Sequence, residues 1–376
     1  MQDELYIMEV PSETTTLIES RMGESKKSGD LPWVETIPHD SVTMANAALY
    51  VLSGCSQPIL MTTCRDAGLA NSSSQLYMLF YYIGPASVII PLWWDRTQWP
   101  STRTILRGCA IALFDIGSQT LNYTGASLAG PTIFAIVYSS VTVWTAVFSQ
   151  VLLGRSMNLW QWIAVFVVFG GLTLTATDSL KIGGDVAHGL FLVVVGSIMH
   201  ALTYVMLEGI MTVGEERLTI PQNCAISGLV AAGSFLLWQI VYTLPRWDDN
   251  IGDPMREAGT SSWKAVGILL LFAGANLVHA MTFLHTLRHF MGGATSAGVM
   301  KGLQAVLVFV ATHIIYCGRT GGEEMCFTHG KLLALIVVTS GVCAYGFATS
   351  AKQSRGVTPQ SANETIPVVD DERQKG

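Results

Sequence analysis

One lysine in this chain stands where a charge is costly. Lys301 lies inside 294–315, a stretch apolar and long enough to cross a bilayer. An ionisable side chain at that depth is expensive and characteristically marks a substrate or ion pathway. Its neighbours at three and four residues, Ala297, Gly298, Gln304 and Ala305, form a small, polar strip suited to a cavity. The alternative is an ion pair with Asp115 or Glu208 that locks two helices, and a resting pair opened by substrate would satisfy both. Polar residues also recur at helical spacing in other apolar stretches. Asp115, Gln119 and Asn122 share one face; His200, Tyr204 and Glu208 share another; Asn276, His279, Phe283 and Thr286 follow a third line. Pro131, Ala135, Ser139 and Thr142 give a fourth, small and polar, opposite Phe134, Tyr138 and Phe148. The candidate binding set is therefore Lys301, Gln304, Asp115, Gln119, His200, Tyr204, Glu208, Asn276, His279 and Ser139. Its chemistry is a fixed cation for an anionic group, with Asp115, Glu208 and His200 able to carry a proton.

Long apolar helices must position these residues. The chain has 376 residues, 50% hydrophobic and only 13% charged, with a mean hydropathy of +0.42. A soluble domain carries roughly twice that charged fraction, about 25%. Apolar blocks of about 20 residues, the span a bilayer needs, fall at 44–63, 76–94, 105–122, 128–152, 159–177, 188–212, 224–244, 265–287, 294–315 and 332–349. Polar residues weaken the third, sixth and eighth. The expected fold class is an all-α polytopic membrane protein with ten transmembrane helices and short loops. Residues 1–40 and 351–376 are polar and read as disordered cytosolic tails, and no cleavable signal peptide is apparent in the first 40. The net charge of -6 sits largely in these tails.

With an even number of spans both ends share one side. Placing that side in the cytosol puts the larger share of Lys and Arg there, although Arg246, Arg256 and Lys264 fall outside. The triplets Asn71-Ser-Ser and Asn122-Tyr-Thr then land on the opposite side, where they are candidate glycosylation sites, Asn122 close to the membrane. Cys317 and Cys326 flank the ninth loop on that side and are a candidate disulfide, with free thiols as the alternative. The seven cysteines show no CxxC spacing, which argues against a metal or redox site. Glu13-Thr-Thr-Thr-Leu17-Ile18 fits an acidic dileucine sorting signal read by adaptor proteins. Endosomes and lysosomes or the Golgi follow as the expected location, with the plasma membrane as the alternative.

The fourth and fifth segments resemble the ninth and tenth. Residues 128–155 and 292–319 are each a long helix ending in Gly-Arg, followed by a connector and a Gly-bearing helix, WIAVFVVFGGLTLTA in one half and LLALIVVTSGVCAYGFA in the other. Five spans are an odd number, so the second copy (181–350) would enter the membrane inverted relative to the first (41–180), as in many secondary transporters. Ten helices in two halves, the Gly-Arg ends, Trp160-Gln161-Trp162 and the Gly-rich helices resemble the drug/metabolite transporter superfamily over residues 41–350. A fainter resemblance extends to its nucleotide-sugar and triose-phosphate branch, whose members typically carry a lysine where Lys301 falls. The Gly-Ala-Leu-Asn-Lys motif of GDP-mannose carriers is replaced by Gly298-Val-Met-Lys301-Gly302, and Ser156 follows Arg155 where the superfamily often has a glutamate.

The resemblance implies a secondary transporter working by alternating access. Without a GxxxxGK[ST] motif, a gradient would drive it. The expected substrate is a small anionic metabolite such as a nucleotide-sugar or phosphorylated compound; a cationic or neutral metabolite or drug drawn by Asp115 and Glu208 is the alternative. A non-transporting receptor or complex subunit is the reading from another class. No metal site or nucleophile triad is assembled, so neither an enzyme nor a cofactor is expected. The expected partners are the substrate, the bilayer, protons as coupling ion, tail-binding adaptors and, as an open alternative, a second copy in a homodimer.

Overall fold

Apolar segments of this length can satisfy their backbone polar groups inside a bilayer only as helices or closed barrels, and every element among the described residues is helical. The computed structural model describes residues 39–71, 73–129, 137–138, 140–173, 184–318, 326 and 328–356. The contacts below belong to the compact unit that begins at Thr43. In chain order the helices are α1 (His39–Asp66), α2 (Leu76–Ala86), α3 (Ile89–Trp94), α4 (Thr102–Ala129), α5 (Val141–Leu152), α6 (Leu159–Thr173), α7 (Gly184–Thr212), α8 (Ile220–Trp238), α9 (Asp253–Glu257), α10 (Ser262–His289), α11 (Gly293–Tyr316) and α12 (His329–Gly356).

Among the described residues six stretches are long and apolar enough to cross a membrane: Leu76–Trp94, Ala187–Thr212, Ile220–Arg246, Ser262–His289, Gly293–Tyr316 and His329–Thr349. This is a multi-pass membrane protein. Of the three segments weakened by polar residues, the sixth and eighth, now α7 and α10, are among the six, and the third, now α4, is not. α1 and α4 have 28 residues each, but Ser53, Ser56, Gln57, Thr62 and Thr63 in one and Arg103, Arg107, Asp115 and Gln119 in the other lower their apolar content. Val141–Leu152 and Leu159–Gly171 are shorter apolar helices; residues 130–136 and 174–183 beside them lie outside the described residues.

The helices approach through small residues. A Cβ added at Gly84 of α2 would run into the Ala273 carbonyl oxygen of α10, and one at Gly228 of α8 into the Pro85–Ala86 backbone. α2, α8 and α10 therefore pack backbone to backbone. α4 and α7 do the same where Gly125 meets Gly189 and Val193 and where Gly196 meets Asn122. α6 and α12 contact reciprocally: Gly171 backs onto Val337 and Val338, and Gly341 onto Val167 and Val168. The partner number falls as the residue number rises, so the two helices run antiparallel there. By contrast Gly170, Gly274 and Gly346 have no neighbour within 4 Å of an added Cβ.

Two sets of loops are tied together. Asn71 Nδ2 donates to Asn250 O at 3.3 Å, Trp238 Nε1 to Ser73 O at 3.0 Å and Gln239 Nε2 to Ser74 O at 2.7 Å. Elsewhere Glu216 accepts from Ser101 and Thr104, and Gln222 Nε2 donates to Gln98 O at 2.8 Å. α8 starts in a capping box, Thr219 Oγ accepting from Gln222 N while the Gln222 side chain accepts from Thr219 N. Trp93, Trp94, Trp160 and Trp263 are exposed near helix ends, where rings favour the membrane interface.

Candidate functional site

Lys301 is half-buried on α11 and meets two tyrosines. Its Nζ donates to Tyr204 Oη at 2.7 Å and Tyr138 Oη at 3.0 Å, and lies 5.4 and 5.2 Å from the same ring centroids. A buried ammonium needs hydrogen-bond acceptors and benefits from ring faces, and the tyrosines supply both. Among the described residues no carboxylate lies within ion-pair distance of it. The expected alternative pairing is thus replaced by neutral partners. Tyr204 comes from α7 and Tyr138 from just before α5, so the ammonium joins three parts of the chain.

His200, one turn before Tyr204, continues the cluster. Its Nδ1 lies 3.0 Å from Asp115 Oδ1 of α4. Its ring stacks at 5.8 Å on Tyr138 and meets Tyr204 edge-on at 4.8 Å. The His200 side chain is 6% exposed and that of Asp115 23%. Phe283 of α10 closes another wall, 4.6 Å from Tyr204 and 5.8 Å from Tyr50.

A second polar group ties α1 to α10. His279 Nδ1 is 3.2 Å from Ser53 Oγ and its ring stacks on Tyr50 at 5.0 Å. Gln57 Nε2 donates to Asn276 Oδ1 at 2.7 Å, and Asn276 Nδ2 to Tyr81 O at 2.6 Å. Tyr50 and Phe283 stand between this group and the Lys301 group. His279 and Asn276 thus serve helix-to-helix bonding, with an aromatic partition between them and the lysine.

Several sequence expectations require correction. Ala297, Gly298 and Gln304, read as a cavity-facing strip, are buried against helices. Ala297 O accepts from Tyr50 Oη at 3.4 Å, Gly298 O from Thr142 Oγ1 at 3.0 Å, and Gln304 Nε2 donates to Tyr50 O at 2.9 Å. Small residues there admit neighbouring backbones rather than a ligand. Glu208, two turns from His200, is fully buried away from Lys301. It pairs with Arg155 at the Gly-Arg end of α5 and accepts from Ala294 N, in the first turn of α11, at 2.6 Å. The carboxylate is drawn there by a guanidinium and a helix N-terminus. Gly293, at φ +44°, has no room for a Cβ because the Glu208 carboxylate occupies that space. Asn122 is 1% exposed within α4 and packs on Gly196, which removes it as a glycan acceptor. Asn71 is half-buried, its Oδ1 accepting from Ser73 N at 2.8 Å. Gln119 is half-buried a turn beyond Asp115. Cys317 and Cys326 are joined by a disulfide. Ser139, Glu13, Leu17 and Ile18 lie outside the described residues.

Sequence reasoning passed over Tyr138, Tyr50, Ser53, Gln57 and Arg155. Tyr138 was assigned to the bulky face, yet a tyrosine in an apolar segment must place its hydroxyl against a polar partner, and that signal was available. An apolar groove of about 490 Å³ between α1, α3, α10 and the start of α8 is lined by Leu49, Leu92, Leu277 and Met281, with Asp95 in its wall. It includes none of the Lys301 cluster.

The segment containing α4, α5 and α6, with their connection to α1, carries a recognisable pattern. Residues 59–177 match the EamA-like transporter family. That match spans Asp115, Tyr138 and Arg155 and leaves His200, Tyr204 and Lys301 outside it. Solute carrier family 35 member F6 of Homo sapiens is 26% identical over 112 residues, 30% of this chain and 30% of that protein. The same protein of Pongo abelii gives the same figures. The chain thus aligns with under a third of the length of these relatives. A solved crystal structure of a protein 13% identical in sequence superposes with a TM-score of 0.60, covering 83% of this chain and 99% of the other, a likeness of fold alone. The resemblance to the drug/metabolite transporter superfamily read from the Gly-Arg and Gly-rich helices holds in the EamA-like segment.

Proposed function

We propose that this protein is a secondary active transporter that moves a small anionic organic metabolite by alternating access, with Lys301 as the residue that receives the anion. The observation that carries the reading is the ammonium itself. Lys301 spends two of its three N–H donors on neutral tyrosine hydroxyls. A membrane-embedded cation held without a contacting counter-charge is poised for an external one. Carboxylate and phosphate groups are the substrate chemistry that fits, and nucleotide-sugars and phosphorylated metabolites are the first compounds to try.

The architecture proposed is ten transmembrane helices in two inverted halves, 41–180 and 181–350, with cytosolic tails 1–40 and 351–376. Three features support it. Gly154-Arg155 and Gly318-Arg319 end equivalent segments. The antiparallel α6–α12 contact is self-complementary, as a two-fold axis requires. The tied loops, 71–74 with 239–250 and 98–104 with 216–222, pair segments that this topology places on common sides. An endomembrane location, lysosome, endosome or Golgi, is the reading that the acidic dileucine pattern Glu13–Ile18 supports.

Purified protein in lipid vesicles, screened with labelled nucleotide-sugars, sugar phosphates, organic anions and organic cations, tests this. Uptake of an anion that is lost in Lys301→Ala and retained in part by Lys301→Arg is expected. Unchanged uptake and affinity in Lys301→Ala would remove the assignment. Selective uptake of cations would favour Asp115 as the recognition group, and no uptake of any class would favour the receptor reading.

A further inference from the structure

The imidazole beside Lys301 has a proton-accepting atom with nothing to accept from. Asp115 Oδ1 is an acceptor, so the 3.0 Å contact places a hydrogen on His200 Nδ1. In a neutral ring that leaves the lone pair on Nε2. Nε2 is buried and has no hydrogen-bond partner among the described residues, in a histidine only 5% exposed. Imidazole is the side chain whose ordinary titration falls near neutral pH, and a hydrogen-bonded carboxylate steadies the imidazolium. The pair is therefore built to hold one proton at Nε2 without changing its Nδ1 contact.

The charge count of the cluster says when the proton is wanted. Facing His200 are Asp115 from α4, Lys301 from α11, Tyr138 ahead of α5, and Tyr204 on its own helix. On α8 and α10, which also pack on α7, Cys224 points to Pro85 O and His279 bonds Ser53 and stacks on Tyr50, within reach of the Lys301 charge but without contact to His200. Glu208 is occupied with Arg155. With His200 neutral, Lys301 and Asp115 cancel. A monoanion at Lys301 leaves the buried cluster at minus one, and a proton at Nε2 restores it to zero. Net charge in a membrane interior is costly, so the two ligands favour each other's binding, and the favour is reciprocal.

We infer that His200, positioned by Asp115, is the coupling-ion site: one proton binds at Nε2 with each monoanion at Lys301 and crosses with it. This rests on the anion reading of Lys301 and adds the ion, its atom and its stoichiometry.

The test has two arms. In the first, inorganic phosphate, glucose 6-phosphate and UDP-glucose are offered to protein-containing vesicles with and without an inward proton gradient of about one pH unit. With the membrane potential held at zero, so that the charge of each probe does not enter, one proton per anion predicts a rise in accumulation of about tenfold, with acidification of the vesicle interior in step. In His200→Gln, whatever uptake survives is indifferent to the gradient. Wild-type accumulation that ignores the gradient, or a His200→Gln response equal to wild type, overturns the inference while leaving Lys301→Ala to judge the anion reading by itself. The second arm needs no transport. In ¹⁵N-histidine-labelled protein, the His200 resonance, identified by its loss in His200→Gln, should titrate at Nε2, with a midpoint moved up by phosphate and down by Asp115→Asn. A His200 resonance that shows no protonation between about pH 5 and 8 refutes the site whether or not a substrate has been found.

Discussion

Replacing Arg155 with alanine is expected to destabilise the protein more than altering its partner Glu208. The Glu208 side chain is fully buried and that of Arg155 is 32% exposed. Removing the guanidinium strands a carboxylate whose one other polar support among the described residues is the Ala294 N–H at 2.6 Å. Breaking a buried pair in this way costs about 3–5 kcal/mol. The surviving amide bond and the partial exposure of Arg155 put the expected value near the lower end, about 3 kcal/mol. Glu208→Gln keeps the side-chain shape and an acceptor for Ala294 N, and it leaves an arginine that can turn towards water. Its cost is the difference between a charge-assisted and a neutral hydrogen bond, about 1–2 kcal/mol. At about 2 °C per kcal/mol for a protein of this size, Arg155→Ala should melt about 6 °C below wild type and Glu208→Gln about 2–4 °C below. Thermal unfolding of detergent-purified protein, followed by size exclusion after heating, reads both. The double variant Arg155→Ala/Glu208→Gln should be milder than the sum of the singles, because neutralising the carboxylate relieves what the lost arginine exposed. If Arg155→Ala melted with wild type, or Glu208→Gln proved the more damaging, the buried-pair argument would fail.

Neighbouring glycines on α6 should respond oppositely to alanine. Gly171→Ala places a methyl 2.8 Å from Val338 Cγ2 and should cost about 1–3 kcal/mol of overpacking, and Gly341→Ala, meeting Val168 at 2.9 Å, should cost about the same. Gly170→Ala meets nothing within 4 Å and should be neutral or stabilise by up to about 1 kcal/mol; melting temperatures of the three variants decide it. Thr219→Ala removes the capping box of α8 and should lower stability by about 0.5–2 kcal/mol, with faster amide exchange confined to the first turn of α8. Glu216, in the loop after α7, is held below its ordinary carboxylate range chiefly by the Ser101 hydroxyl and then by Thr104. Because the folded value lies below the unfolded one, its small contribution is complete at neutral pH and is lost as pH falls through the folded value. Glu216→Gln should accordingly flatten the acid side of the stability–pH curve, and an unchanged curve would dismiss the contact.

The sequence marked Asp115, His200, Tyr204 and Lys301 because ionisable and polar groups in apolar segments carry their own signal, and these four do converge. It could not show Glu208 leaving that group. A carboxylate on the same helical face as His200 is captured two turns on by an arginine from α5 and a helix start from α11, and those arrivals depend on tertiary packing. The Ala297–Gly298 strip failed for a related reason: small residues permit either a ligand or a neighbouring backbone, and Tyr50 and Thr142 came to fill the space. Asn122 matched a triplet that says nothing of burial. Hydropathy located the apolar helices well; of the three segments marked as weakened by polar residues, α4 does fall short and α7 and α10 do not. α1, not marked as weakened, also falls short, its apolar content lowered by serines and threonines that bond back to their own helix or to α10 and α11.

The glycine–valine contact between α6 and α12 has a mechanical meaning. In the alternating-access cycle proposed above, an interface that maps onto itself when the two halves exchange roles would present the same surface whichever side of the membrane the binding site opens towards. Nothing in it would have to be broken or remade during such a cycle, so it would serve as a bearing. The Arg155–Glu208–Ala294 junction is the opposite kind of joint, a specific polar latch tying α5, α7 and α11, which any relative movement of those helices in such a cycle would have to break. A covalent staple across the bearing should leave transport running, and one across the latch should stop it.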